Sequence, residues 1–342
     1  SDPICFAGKT KEYYSLNDNE FCLCTGNKIE FYNLKNEVIE KTAEKLENLN
    51  QTKTKTSYKH FMQKEINEIP DVLKNIVKRY STDNYLDILD KVFIKKFNKV
   101  VLIGCGTAYH AGLIGARYLQ DLARIDANTS VASEFRYANP IIDNKTLVIL
   151  VSQSGETADT IAVCEEANKK GCTTLALTNV EYSTLAKLAK ITMPLCAGTE
   201  IAVASTKAYV AQVAVLYLIA SKLSNELLNK NINFLENLQK LSDQIIIPTK
   251  QDFRTLVDEI SKKQTAFFIG RDYDYITCEE ASLKLKEITY INSNAYPAGE
   301  LKHGFLALID ESSYLFVIAT KRDLLEKTLN GAYEAKARGA NL

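Results

Sequence analysis

From residue 99 onward the sequence alternates short apolar runs with helical stretches, and this alternation limits the possible folds most strongly. The first apolar run, KVVLIG (residues 99–104), ends in a glycine turn and is followed by a helical pattern. Strands with almost continuous apolar content that alternate with helices are typical of a parallel sheet covered on both faces. The sequence therefore predicts an α/β protein with a doubly wound parallel sheet.

The strand, glycine turn and helix pattern occurs twice, which indicates an internal duplication. TAFFIGRDYDYITCEEASLKLKEITYI (265–291) follows the pattern of KVVLIGCGTAYHAGLIGARYLQDLARI (99–125). SYLFVIAT (313–320) and its following helix likewise repeat KTLVILVS (145–152) and its helix. The first copy continues for two more strands and two more helices, whereas the second ends earlier. We therefore expect residues 251–342 to form a second domain that is incomplete at its C-terminus.

The chain before the first copy has a different character. Residues 1–35 contain short strands and turns, which are too few to bury a core alone. A polar segment follows, and we assign residues 36–57 to a linker with some helix. HFMQKEINEIP (60–70) predicts a short amphipathic helix stopped by Pro70, and a second helix follows it. We expect the first α/β domain, including these helices, to cover residues 58–250.

Composition argues against several classes of function. The 42 Lys and Arg residues balance 42 Asp and Glu residues, so the chain has no electrostatic footprint for nucleic acid. No apolar run approaches the roughly 20 residues of a membrane span. Eight scattered cysteines favour a reducing, cytoplasmic setting over a disulfide scaffold. Cys22 and Cys24 are the one closely spaced pair of cysteines. Their spacing fits alternate positions on a short strand better than a zinc site, so we predict no metal.

Polar residues interrupt the apolar run at 146–151 just where a helix begins. The first turn of a helix offers unpaired N–H groups and a partial positive charge, which together bind anions. Hydroxyls, an amide and a glycine at this point fit a phosphate monoester. The stretch thus predicts a phosphate site made by Ser152, Gln153, Ser154 and Thr157. An ordinary helix N-cap is the alternative interpretation.

Two further turns carry weaker signals. GCGTAYHAG (104–112) lacks the third glycine of a dinucleotide fingerprint, because Tyr109 occupies that position. Cys105 in this turn is a candidate nucleophile, although a small thiol that merely lines the turn is the simpler interpretation. AVASTKAY places the Ser205 hydroxyl just before a long helix. This hydroxyl could bond a polyol or cap the helix.

Charged residues recur on one face of the helix predicted in the second copy. Glu280, Lys284 and Glu287 lie at positions i, i+4 and i+7 and share that face. Such charges usually form a solvated stripe, but apolar neighbours indicate a partly buried helix in which a carboxylate could move a proton. His303 follows in a glycine-flanked loop, where it is either structural or an acid–base group.

Six stretches together resemble, in order, the motifs of glutamine:fructose-6-phosphate aminotransferase (glucosamine-6-phosphate synthase). In that family they lie in the isomerase half, which is built from two sugar isomerase (SIS) domains. The stretches are CGTAYHAG, SEFRY, SQSGETADT, GTEIAVASTKAY, EASLKLKEITYI and AGELKHG. The likeness covers residues 58–342. Residues 1–35 resemble the end of the family's glutaminase domain, whose catalytic cysteine and remaining parts we do not find here.

The resemblance implies a role for each matching position. The residues that match the holders of the sugar phosphate are Ser152, Gln153, Ser154 and Thr157. The residues that match the lining of the sugar site are Cys105, Gly106, Thr107, Val203 and Ser205. Glu287 matches the base that moves a proton between C1 and C2, and Lys284 matches a lysine near these carbons. His303 matches the histidine that opens the sugar ring, which the neighbouring subunit of a homodimer contributes.

The resemblance also implies a reaction. Fructose 6-phosphate and glutamine-derived ammonia give glucosamine 6-phosphate, without a metal or an organic cofactor and without nucleic acid or membrane partners. Glutamine enters only through the glutaminase domain. The family's C-terminal tail, with a lysine that forms an imine with the open sugar, lies beyond Leu342. We therefore expect a chain that binds fructose 6-phosphate and reacts poorly alone.

Two residues depart from the family pattern within the matched region. Ala108 stands where the family often has a serine, which removes one hydrogen bond to the sugar. Phe305 stands where GELKHGP is usual, which changes the loop that carries His303.

Two other functions remain open from the sequence. A non-catalytic SIS module would bind sugar phosphates without the Glu287 and His303 pair, whose presence favours an enzyme. A stand-alone sugar-amine deglycase would have no glutaminase domain, and the likeness of residues 1–35 to such a domain argues against it.

Overall fold

The structure, a computed structural model, describes residues 10, 12–17, 19–26, 28–45, 57–83, 85–93, 97–224, 233–245, 247–248 and 250–342. The chain divides into two compact units, Ser1–Ser57 and Tyr58–Leu342. This division is based on compactness alone and does not test the four predicted segments, 1–35, 36–57, 58–250 and 251–342, which stay predictions. Within the described residues every helix is too short or too polar to span a membrane.

The first unit is built from five short strands. They are β1 (Glu12–Tyr13), β2 (Glu20–Thr25), β3 (Lys28–Asn33), β4 (Val38–Ile39) and β5 (Glu44–Lys45). Strands β2, β3 and β4 form an antiparallel sheet, and β1 pairs antiparallel with β5. Cys22 and Cys24 occupy alternate, exposed positions on β2.

The predicted linker differs from the structure where it is described. Residues 38–39 and 44–45 are strands rather than helix, because their backbone groups pair with β3 and β1. The middle of the predicted linker, residues 46–56, lies outside the described residues.

Three helices open the second unit: α1 (Phe61–Asn67), α2 (Ile69–Thr82) and α3 (Tyr85–Phe93). The prediction that Pro70 stops a helix is wrong. Pro70 lies in the first turn of α2, where its missing N–H is not needed. The chain leaves one helix and enters the next at Glu68, which caps both.

A five-stranded parallel sheet forms the centre of the second unit. Its elements are β6 (Lys99–Gly104), α4 (Thr107–Asp121), β7 (Ala127–Val131), α5 (Ala132–Phe135), β8 (Thr146–Ser152), α6 (Ala158–Lys169), β9 (Thr173–Thr178), α7 (Thr184–Leu188), β10 (Ile191–Pro194) and α8 (Lys207–Lys222). The strand order is β10-β9-β8-β6-β7, and every pair is parallel.

Both faces of this sheet are covered, which explains the almost continuous apolar strands. Alternate residues of β8 enter different cores: Ile149 packs in one with residues of α8, and Leu150 packs in the other with residues of α6. Side chains on a strand point alternately to its two faces, so a strand buried on both sides has no polar position. The predicted doubly wound α/β architecture is confirmed.

The second copy repeats the pairing of the first. Helix α9 (Phe234–Gln244) precedes it and packs in the core of the first copy. The elements of the second copy are α10 (Lys250–Ile260), β11 (Thr265–Gly270), α11 (Tyr273–Thr289), β12 (Asn292–Pro297), β13 (Tyr314–Val317) and α12 (Leu325–Lys336). The parallel order β12-β11-β13 matches β7-β6-β8, so the predicted duplication is present in the strand pairing as well as in the sequence.

The turn after the first strand of each copy is also the same. A Cβ on Gly104 would lie 2.7 Å from the backbone carbon of Ala108, and one on Gly270 would lie 2.6 Å from that of Asp274. Glycine is therefore required at both positions, because the first turn of the helix packs directly against the end of the strand.

Candidate sugar-phosphate site

The candidate site lies at the carboxyl ends of two neighbouring strands, β6 and β8. After β6 the chain adds β7 at one edge of the sheet, and after β8 it adds β9 and β10 toward the opposite edge. The direction in which strands are added therefore reverses between β6 and β8. Loops that leave such a pair diverge and open a crevice, which is the usual ligand site of this architecture. The turn at Gly104 and the polar stretch after β8 both border this crevice.

The loop after β8 is folded around its own polar groups. The Ser152 hydroxyl, which is buried, accepts a hydrogen bond from the Gly155 N–H at 3.0 Å. The Ser154 hydroxyl accepts one from the Glu156 N–H at 3.1 Å. Gly155 has φ +67°, and a Cβ there would lie 2.1 Å from the Ser183 hydroxyl oxygen, so glycine is needed for this turn.

The start of α6 bears on the two interpretations of this loop. Thr157 is the N-cap residue, yet its side chain makes no capping hydrogen bond. Its hydroxyl instead lies 3.4 Å from the Ser152 hydroxyl, within the loop. The Thr157 side chain therefore does not occupy the first-turn N–H groups of α6, which are the groups that an anion would use.

A cavity of about 160 Å³ joins the loops. Its lining includes seven of the residues predicted from the sequence: Cys105, Thr107, Ser152, Gln153, Ser154, Thr157 and Ser205. Ala108, Val151 and Gln212 complete the lining. Because Ala108 is one of these residues, the absence of a serine hydroxyl there leaves this wall of the cavity less polar.

Sequence reasoning missed Gln212. Only 1% of this residue is exposed, and its Oε1 has no hydrogen-bond partner among the described residues. A buried amide oxygen without a partner costs free energy unless a ligand or water donates to it. The signal was present in the sequence, since Gln212 interrupts the apolar middle of helix α8.

A hydrogen-bonded network connects the cavity to helix α11. Lys284 Nζ donates to Thr107 Oγ1 at 2.9 Å, and Thr107 Oγ1 donates to Glu280 Oε1 at 3.0 Å. Lys284 also pairs with Glu287 Oε2 at 2.7 Å. His110 Nδ1 lies 2.7 Å from Glu280 Oε2. The two copies of the α/β unit are thus joined at the cavity through side chains of α4 and α11.

Glu280 contacts three members of this network, although the family resemblance gave roles only to Lys284 and Glu287. Its side chain is 7% exposed, compared with 31% for Glu287. Burial raises the pKa of the nearby Tyr209 hydroxyl, and the charge of Glu280 raises it further. Through its two oxygens Glu280 contacts Thr107 and His110, while Glu287 is the carboxylate that remains partly exposed to solvent.

Five predicted residues lie outside the cavity lining. Two of them, Lys284 and Glu287, are connected to it through the hydrogen bond of Lys284 to Thr107. Gly106 is the exposed N-cap of α4, with φ +52°. Val203 is 96% exposed on the loop before α8. His303 is exposed in the short 3₁₀ helix Leu301–His303. In the described part of the chain, no three His, Cys, Asp or Glu side chains are grouped closely enough to hold a metal ion.

Phe305 anchors the segment that carries His303. Its ring stacks on Tyr296 with centroids 3.8 Å apart and meets Phe267 edge-on at 4.8 Å. Aromatic pairs of this kind add about 0.5 to 1.5 kcal/mol to the burial of their area. Phe305 therefore gives this loop an apolar anchor two residues after His303.

Thr107→Val should destabilise the protein more than Thr107→Ser. Valine keeps the shape but removes the hydroxyl that Lys284 and Glu280 share, which we expect to cost about 1 to 3 kcal/mol. Serine keeps the hydroxyl and loses one methyl group. Urea unfolding of both variants measures the difference. Equal stabilities would show that the hydroxyl does not hold the network.

Comparison with known proteins gives a consistent result. The SIS domain family model matches residues 93–222 and 259–342. Glutamine–fructose-6-phosphate aminotransferase (isomerizing) from Clostridium tetani is 42% identical over 99% of this chain, and its counterpart from Caldanaerobacter subterraneus is 41% identical over 96%. The C-terminal domain of glucosamine-fructose-6-phosphate aminotransferase from Francisella tularensis superposes with a TM-score of 0.79, at 32% identity and 84% coverage of both chains.

The chain spans 58% and 56% of the lengths of these two aminotransferases.

Proposed function

The chain belongs to the SIS domain family, and from this membership and the cavity described above we propose that it is the isomerase part of a glucosamine-6-phosphate synthase. It would bind fructose 6-phosphate and convert it, with ammonia derived from glutamine, to glucosamine 6-phosphate. The two relatives named glutamine–fructose-6-phosphate aminotransferase, and the solved C-terminal domain of such an enzyme, support the proposal.

One observation supports the proposal above all others. The hydroxyl-lined cavity lies at the uncapped start of α6, and one of its lining residues, Thr107, is hydrogen-bonded to Lys284 of α11, which pairs with Glu287. A module that only bound sugar phosphates would need the first part and not the second. The combination of an anion site and a reachable carboxylate fits proton transfer on a phosphorylated sugar.

The mechanism follows from the position of each group. The loop from Ser152 to Thr157 holds the phosphate by hydroxyls and by the first-turn N–H groups of α6. The carbon chain then extends past Thr107 toward α11. Glu287 takes a proton from C1 and returns it to C2, and Lys284, 2.7 Å from it, stabilises its charge. A positioned base of this kind contributes on the order of 10² to 10⁴ in rate.

Ser154→Asp should abolish binding of fructose 6-phosphate. An aspartate can still accept the Glu156 N–H, so the loop keeps its fold, but its charge repels the phosphate. Ser154→Asn is the matched control, because it has the same shape and no charge. We expect calorimetric titration to show an affinity for fructose 6-phosphate that is at least roughly a hundredfold lower in the Asp variant and only slightly lower in the Asn variant. Unchanged affinity of the Asp variant would place the phosphate elsewhere.

We further propose that two copies of the chain complete each site, since His303 is exposed and does not line the cavity of its own chain. In this arrangement Glu287 and His303 of one site come from different subunits. Each single variant, Glu287→Gln or His303→Ala, should then lose activity in its own homodimer.

A mixture of these two variants tests the arrangement. Random reassociation makes half of the dimers mixed, and each mixed dimer has one intact site, so about a quarter of the wild-type rate should return. The measured rate is incorporation of solvent deuterium at C1 of fructose 6-phosphate, followed by NMR. No recovery on mixing would mean that both residues act within one chain.

A further inference from the structure

The side chain of Glu65 is buried where a surface carboxylate would be expected. Glu65 belongs to α1 and is 2% exposed, and it is the one buried residue of that helix. Burying a carboxylate is costly unless hydrogen bonds satisfy it. Burial raises the pKa of Glu65, and hydrogen bonds from the backbone of Ile201 and Ala202 oppose this rise. The structure therefore accepts a cost to keep this group in place.

The partners of Glu65 are backbone groups of the loop before α8. Its Oε1 accepts the Ile201 N–H at 2.6 Å and the Ala202 N–H at 3.1 Å. Lys207, whose charge also lowers the pKa of Glu65, pairs with Glu68 Oε2 at 2.7 Å. Two N–H groups directed at one carboxylate fix both the position and the rotation of the loop at residues 201–202.

This loop forms one wall of the candidate site. Ser205, three residues after Ala202, lines the cavity and donates to Glu200 Oε2 at 2.8 Å. Glu200 Oε1 also accepts the N–H groups of Thr206 and Ala208. The loop is thus held at one end by Glu200, which belongs to it, and at the other end by Glu65, which does not. The phosphate loop from Ser152 to Thr157 shows no such contact with Glu65 in the described structure.

We propose that Glu65 is a positioning residue that sets the affinity of the site for the sugar while leaving its affinity for phosphate unchanged. The inference rests on the proposed function, because it takes the ligand to be a sugar phosphate. Glu65 holds residues 201–202 inward, and this places Ser205 against the sugar hydroxyls. Helix α1, which lies before the α/β sheet in the chain, thereby takes part in substrate recognition.

Three variants of the full chain test the proposal: Glu65→Ala, Glu65→Gln and, as a matched control, Glu68→Ala. Glu65→Ala should lower the affinity for fructose 6-phosphate roughly tenfold, since two backbone N–H groups lose their acceptor. Its affinity for inorganic phosphate, followed by phosphorus NMR, should remain within about twofold of the wild type. Glu65→Gln keeps an oxygen acceptor and should recover part of the loss, and Glu68→Ala removes a carboxylate that does not contact the loop backbone.

If Glu65 had only a general structural role, Glu65→Ala would lower the affinities for fructose 6-phosphate and for inorganic phosphate equally. That result would overturn the proposal, and so would an unchanged affinity for fructose 6-phosphate. Hydrogen–deuterium exchange of the peptide that contains Ile201 and Ala202 gives a second measure that needs no ligand. Exchange should accelerate in Glu65→Ala and less in Glu65→Gln; equal exchange in all variants would contradict the positioning role. If the wild type itself fails to bind fructose 6-phosphate, the proposed function fails, and the exchange result still decides whether Glu65 holds the loop.

Discussion

The Thr107 hydroxyl is the atom on which the rest of the site depends. It accepts from Lys284, donates to Glu280 and lines the cavity that contains the phosphate loop. Removing one member of a partly buried charged network destabilises a protein by more than the whole network stabilises it, because a buried charge is left without its partner. The two α/β copies must therefore keep the relative position that this hydroxyl requires. In that position Lys284 contacts Thr107 at the cavity wall, and Glu287 pairs with Lys284.

The two α/β copies share a turn but differ in the side chains beside it. Both copies have a strand that ends at a glycine against which the following helix packs, at Gly104 and Gly270. In the first copy the crevice beside this turn is lined with hydroxyls from the turn and from the loop before α6. In the second copy the corresponding helix, α11, directs charged side chains at Thr107 of the first. Under the proposed function the first copy binds the phosphate and the second supplies the acid–base groups.

Much of this arrangement could be predicted from the sequence, and the exceptions have physical reasons. Apolar strands and glycine turns are local signals, so the duplication, the doubly wound sheet and the cavity-lining hydroxyls were all visible. The sequence contained a signal for Gln212 and placed Glu280 on a charged helix face, but the contacts of Glu280 and Glu65 join residues more than 130 positions apart, which local patterns do not report. Pro70 was misjudged for a related reason: proline ends one helix and begins another equally well, and only the surrounding packing decides.

A crystal structure of the chain with fructose 6-phosphate tests the central claim most directly. The account predicts the phosphate group within hydrogen-bond distance of Ser152, Ser154 and Thr157, with C1 and C2 next to Glu287. A phosphate bound at any other place, or a sugar whose C1 and C2 point away from α11, would contradict the account. In that case the network of Thr107, Lys284 and Glu280 would join the two α/β copies without taking part in the reaction.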